Sequence, residues 1–186
     1  MKTLVLIHGY SRSGKTTLLD ELKAQGYQCL STSQELDWIV IERWGLPRYF
    51  IQILRNKDDA ALQDYMKTSF SCRGLKINTA EYDYIPKHGR KGLINRTIAE
   101  QYNPYDPTAL VFFETIGGEE AQITKEIWKR YGDLTIDINL RGSRELKGVD
   151  IRQLSPLCRD IWNTYRDSTA FANNLIDALA IQASVG

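Results

Sequence analysis

Eight residues near the start of the chain, Gly9-Tyr10-Ser11-Arg12-Ser13-Gly14-Lys15-Thr16, set glycine, lysine and a hydroxyl in the spacing GxxxxGK[ST]. The glycines let the backbone turn its N–H groups inward at anionic oxygens, and a helix opening directly afterwards adds the positive end of its dipole. Lysine then offers a charge to the β- and γ-phosphates, and threonine a hydroxyl to Mg²⁺. Gly9 to Thr17 are therefore expected to hold the triphosphate of ATP or a related nucleotide, with Lys15 on the phosphates and Thr16 on the metal.

A loop of this kind needs a buried strand before it and a helix after it. Thr3 to His8 is an apolar run without polar alternation, which predicts a central parallel strand buried on both faces. Leu18, Leu19 and Leu22 then mark one face of a helix from about Lys15 to Gln25, with Gly26 at the C-cap position. Gln28 to Thr32 predicts a second strand, and Thr32-Ser33-Gln34-Glu35 a capping box opening a helix that ends near Trp44, before Gly45 and Pro47.

Pro47 to Leu54 and Asp58 to Phe70 read as helices, whereas Ser71 to Lys87 shows no period and is expected to be an inserted loop. A helix from Gly89 to Tyr102 stops before the turn signal Asn103-Pro104-Tyr105-Asp106-Pro107. A strand from Ala109 to Phe113 ends on Glu114, and after Gly117-Gly118 come a helix from Glu119 to Tyr131 and a strand from Leu134 to Leu140. Ser168 to Ala183 reads as one helix or as a strand plus a helix. The alternation predicts an α/β fold, a mostly parallel sheet with helices on both faces. One domain over 1–186 is expected, with a helical or irregular insertion at about 45–88.

A formal net charge of +1 weighs against a protein that coats nucleic acid with its whole surface, leaving only a local basic groove for such a partner. Cys29, Cys72 and Cys158 have no metal or disulfide spacing and read as reduced thiols. No stretch approaches membrane-spanning length and the N-terminal apolar run is too short for a signal peptide, so a cytoplasmic protein without a membrane partner is expected.

At Arg12-Ser13-Gly14-Lys15 the chain resembles the P-loop nucleoside and nucleotide kinases, especially the phage deoxynucleoside monophosphate kinase group, whose loops often read RSGK. Leu110 to Glu114, then Glu119-Glu120-Ala121, a helix, and Leu134 to Leu140 ending in Arg141 look like that family's later strand, helix, strand and arginine succession. The chain departs from the family at Thr16, where Asp is frequent, and at Glu114-Thr115-Ile116-Gly117, where an acidic residue and arginine are usual. Phage enzymes that phosphorylate 5-hydroxymethyluracil within DNA are similar at this level.

The resemblance implies a P-loop NTPase three-layer fold with a kinase-like lid, and an ATP-dependent phosphotransferase acting on a nucleotide, a nucleoside or a modified pyrimidine. A kinase of modified DNA and a non-kinase NTPase or nucleotide-gated binding protein are the alternatives, and a homodimer is left open. Phosphoryl transfer asks the protein for positioning and charge, so a metal-holding carboxylate, an acceptor-orienting carboxylate and lid arginines are expected. Glu114, at the carboxyl edge of the sheet, is the candidate for Mg²⁺ through water.

Glu35 and Asp37 follow the second strand, near where related nucleoside kinases keep the carboxylate that takes the acceptor's proton; their structural alternatives are a capping-box acid and a first-turn acid. Arg141, Arg144 and Lys147 lie in a glycine-punctuated lid segment, about 141–150. Lys87, His88, Arg90, Lys91 and Arg96, near Tyr82 and Tyr84, form a basic cluster suited to an acceptor phosphate or a nucleic-acid backbone, or else to a solvated face. His8 and the four tryptophans Trp38, Trp44, Trp128 and Trp162 are expected to pack.

Overall fold

The computed structural model describes residues 2–8, 15–115, 118–131 and 134–139. The chain divides into two compact units, one formed by Met1–Leu30 with Gln101–Gly186 and the other by Ser31–Glu100.

In the first unit β1 (Thr3–His8), β2 (Gln28–Ser31), β3 (Leu110–Thr115) and β4 (Leu134–Asn139) form one sheet in the order β2-β3-β1-β4. β1 runs parallel to both neighbours, Thr3 aligned with Leu110 on one side and with Leu134 on the other. Four consecutive β1 residues, Leu4 to Ile7, are 0% exposed. Because successive side chains point to opposite faces, both faces of the sheet are covered there, which is why the strand reads as an unbroken apolar run.

Helix α1 (Lys15–Ala24) buries Leu18, Leu19 and Leu22, the stripe its spacing predicts, and ends where Gly26 takes a φ of +93°. Leaving β3, the chain enters a helix (Gly118–Trp128) that buries Ala121, Thr124, Ile127 and Trp128. Trp128 packs edge-on against Tyr102 at 5.2 Å between ring centroids. Ahead of β3, Asn103 Oδ1 accepts from the Tyr105 amide at 3.0 Å and Asp106 Oδ1 from the Thr108 amide at 2.9 Å, so the Asn-Pro/Asp-Pro stretch is built from side-chain turns. Gln28 fixes this turn by bonding both the N–H and the C=O of Asn103, at 3.0 and 3.1 Å.

The second unit is helical: α2 (Thr32–Trp44), α3 (Phe50–Arg55), α4 (Asp59–Met66), α5 (Cys72–Thr79), a π turn (Ala80–Tyr84) and α6 (Ile85–Gln101). Its core gathers Val40, Ile41, Phe50, Leu54, Leu62 and Leu75 with Cys72. The expected loop over Ser71–Lys87 is thus corrected to helix: Ser71 caps α5 by accepting from the Gly74 amide at 2.9 Å, and Asp59 Oδ1 accepts from the Cys72 amide at 2.8 Å. The π turn and a non-helical Gly89 inside α6 interrupt the period that a sequence reading relies on.

The start of α2 also moves. Ser31, in extended conformation, is the N-cap and its hydroxyl accepts from the Gln34 amide at 3.3 Å, so Glu35 stands one position past the capping-box site. Gly45 closes the helix in the left-handed region, φ 60°. Ser31→Ala is expected to cost about 1 kcal/mol and to lower Tm by roughly 2–4 °C, since a domain of this size loses that much per kcal/mol. An unchanged Tm would show that the cap contributes nothing.

Candidate functional site

Two places bear on chemistry, one in each unit. In the first unit, β1, β3 and β4 finish level: Glu114 aligns with Ile7, and Thr115 and Asn139 both align with His8. The carboxyl edge therefore brings the end of β1 beside the end of β3, adjacent strands lying about 4.8 Å apart. From this edge the chain passes through Gly9, Tyr10, Ser11, Arg12, Ser13 and Gly14, which lie outside the described residues, and resumes as α1 at Lys15. For Lys15 and Thr17 only the helical backbone is described, while Thr16, in the first turn, is exposed.

The first turn of α1 carries no acidic residue of its own to offset the positive end of the dipole. Glu114 is half-buried at the same edge. A helix start without an acid in its first turn, an exposed hydroxyl and a carboxylate are a set that suits an anion and a hard divalent cation bound through oxygen. On the neighbouring strand, burial pushes the Cys29 thiol up to about 12, with Lys23 opposing and Asp20 and Glu114 adding smaller upward pushes. Burial likewise raises Cys72 to about 12, so at neutral pH both are thiols rather than thiolate nucleophiles.

In the second unit the first two turns of α2 carry Glu35 and Asp37, each 2% exposed. Arg96 Nε of α6 donates to Glu35 Oε1 at 2.9 Å, and its other edge forks onto the exposed Glu42 at 2.7 and 3.0 Å. The same guanidinium lies over the Tyr84 ring, 6.0 Å from its centroid. The fork to Glu42 holds that carboxyl below its usual range.

Lys76 Nζ of α5 donates to Ser33 Oγ at 2.7 Å and forms an ion pair with Asp37 Oδ1 at 2.9 Å. Burial raises the Asp37 carboxyl and the Lys76 charge opposes it. Both candidate acids thus lie in buried ion pairs that tie α2 to α5 and α6. Lys76 and Glu42 carried no sequence signal of this kind, and Arg96 stood out only as one cation in a cluster.

That basic cluster is largely matched by local acids. Lys87 pairs with Asp83 at 2.7 Å, Arg90 with Glu81 at 3.4 Å, and His88 stacks on Tyr84 with centroids 4.5 Å apart. Of the tryptophans, Trp128 is fully buried, Trp44 donates to Thr79 Oγ1 at 3.0 Å, and Trp38 packs under Arg48. Trp162, Arg141, Arg144 and Lys147 lie outside the described residues.

Among the described residues no group of three or more His, Cys, Asp or Glu is gathered for a metal ion, and no helix is long and apolar enough to cross a membrane. No protein-family model matches the chain, and no curated protein is significantly similar to it.

Proposed function

We propose that this chain is a P-loop phosphotransferase that moves the γ-phosphoryl group of ATP, with Mg²⁺, to a nucleotide, nucleoside or modified pyrimidine. One observation carries the reading. A strand buried from Leu4 to Ile7 and paired on both sides by parallel strands is joined through Gly9-Tyr10-Ser11-Arg12-Ser13-Gly14, at the carboxyl edge of the sheet, to a helix that opens on Lys15-Thr16 with no acid in its first turn. Open parallel sheets bind ligands at that edge. The three-layer P-loop architecture, a single functional domain over 1–186 and a lid at about 141–150 belong to the same proposal.

Loop amides hold the triphosphate, and Lys15 offsets the charge that grows on the transferring group. Thr16 and Glu114 are the residues that would hold Mg²⁺, which when bound neutralises phosphate oxygens. Arg141 and Arg144 close cationic groups over the same phosphates. With a hydroxyl acceptor, the oxygen forms a bond to the γ-phosphorus as the bond to the ADP oxygen breaks, and the hydroxyl proton passes to Glu35 or Asp37. The local pairing of Lys87, Arg90 and Arg96 favours a free acceptor over a DNA backbone, which would need those cations.

The test is incubation with γ-labelled ATP and Mg²⁺, offering deoxynucleoside monophosphates in one tube and hydroxymethyluracil-containing DNA in another. Label on a monophosphate supports the proposal as stated, label on DNA moves the acceptor to a base, and label released only as inorganic phosphate replaces the kinase with an NTPase.

A further inference from the structure

In a regular helix a glycine costs about 1 kcal/mol relative to alanine, yet α6 carries glycines at 89 and 92 within its first two turns. The geometry gives each a reason. Gly89 has φ 72° and ψ 166°, a region that only glycine enters readily. A Cβ on Gly92 would stand 2.9 Å from the Cβ of His88, which belongs to the base of that side chain and cannot swing aside. Both glycines are therefore required by a break in the helix, and neither by a straight helix.

Just upstream, the π turn Ala80–Tyr84 is a second departure from regular helix, of a kind frequent at functional sites. The stretch 80–89 thus starts in one departure from regular helix, at the buried Ala80, and ends on the other, Gly89. On either side the chain is anchored. Cys72, Leu75 and Thr79 of α5 are buried, and beyond the break Leu93, Ile94, Thr97 and Ile98 are buried while Arg96 clamps α6 to α2.

The stretch between is held by solvent-facing pairs, Asp83 with Arg43 at 3.3 Å and with Lys87 at 2.7 Å, and Arg90 with Glu81 at 3.4 Å. Such pairs are screened and weak. Tyr82, within the stretch, is 80% exposed. Tyr84 and His88 stack on one another, and Tyr84 lies against the Arg96 guanidinium, whose Nε holds Glu35.

We propose that residues 80–89 are a hinged cover over the Arg96 guanidinium that holds Glu35, turning at Gly89 to open this pair to solvent; Glu35 is one of the two acids proposed above as acceptor-orienting. The part played by Glu35 rests on the phosphotransferase reading; the hinge itself does not. Movement of the cover reconciles a proton-accepting role with a carboxylate that is 2% exposed in this arrangement. Alanine at position 89 is strained in the broken form and favours continuous helix, so it shifts the population away from the closed cover.

The experiment uses the full chain without nucleotide, so its result stands whether or not phosphoryl transfer is found. Backbone hydrogen exchange is followed by mass spectrometry, and carboxylates are labelled by carbodiimide and glycine ethyl ester in the wild type and in Gly89→Ala. Amides of 80–92 should exchange at least tenfold faster than those of 72–79 and 93–101, and Glu35 should label severalfold faster in Gly89→Ala. Wild-type exchange over 80–92 no faster than over 93–101 overturns the hinge, as does unchanged Glu35 labelling in a folded variant. If Gly89→Ala does not fold, the wild-type exchange alone decides.

Discussion

Replacing Lys15 with alanine is expected to lower phosphoryl transfer from ATP by on the order of 10²–10³-fold while leaving the fold intact. The expectation comes from position. Lys15 opens α1 directly after the glycine stretch that follows β1, whose end is aligned with the end of β3. Its charge is needed most when negative charge gathers on the transferring oxygens, so the loss should fall on kcat as well as on nucleotide affinity. Far-UV circular dichroism checks the fold, and single-turnover transfer of the labelled phosphoryl measures the step. A folded variant with undiminished turnover would remove the nucleotide loop from the account.

Arg96→Ala is expected to destabilise the protein by about 3 kcal/mol, the low end of the range for stripping a partner from a buried charge. The low end applies because one edge of Arg96 faces Glu42, a residue in solvent. The buried Glu35 is what makes the loss large, since its carboxylate at 2% exposure would keep its desolvation cost without its donor at 2.9 Å. Glu42→Gln removes only the exposed half of the network and should cost under about 0.5 kcal/mol. Urea unfolding of the two variants separates the halves. Equal losses in both would mean that the outer fork, not the buried pair, holds α6 to α2.

Much of this architecture can be read from residues because its two central strands are buried on both faces, Leu4 to Ile7 and Val111 to Phe113 all at 0% exposure. Thr3–His8 and Leu110–Phe113 are continuous or nearly continuous apolar runs, Leu134–Asn139 alternates apolar and polar residues, and glycines punctuate the exits of the first two. The α1 stripe and the Gly26 and Gly45 stops are legible for the same local reason.

Local pattern fails where the decisive partner is remote. Arg96 meets Glu35 across 61 positions and Lys76 meets Ser33 across 43, and no periodicity encodes either pair. Ser71 to Lys87 misled for another reason. A π turn shifts the phase of side chains and Gly89 shifts it again, so a helical stretch presents no single period. The cap of α2 differs by one residue because Ser31 and Thr32 are chemically equivalent as caps, and only the extended backbone of Ser31 selects between them.

The register of the central strand has a consequence for synthesis. β1 finds its first partner at Leu110 and its second at Leu134, both more than a hundred residues further along the chain. A ribosome makes the most apolar strand first and its neighbours late, whereas the helical unit Ser31–Glu100 is contiguous and can fold as it emerges. Throughout that interval Leu4 to Ile7 lack both of their sheet partners. The nascent chain therefore passes through a period in which the edges of β1 are open to chaperones or to aggregation, and ribosome stalling before residue 110 prolongs it.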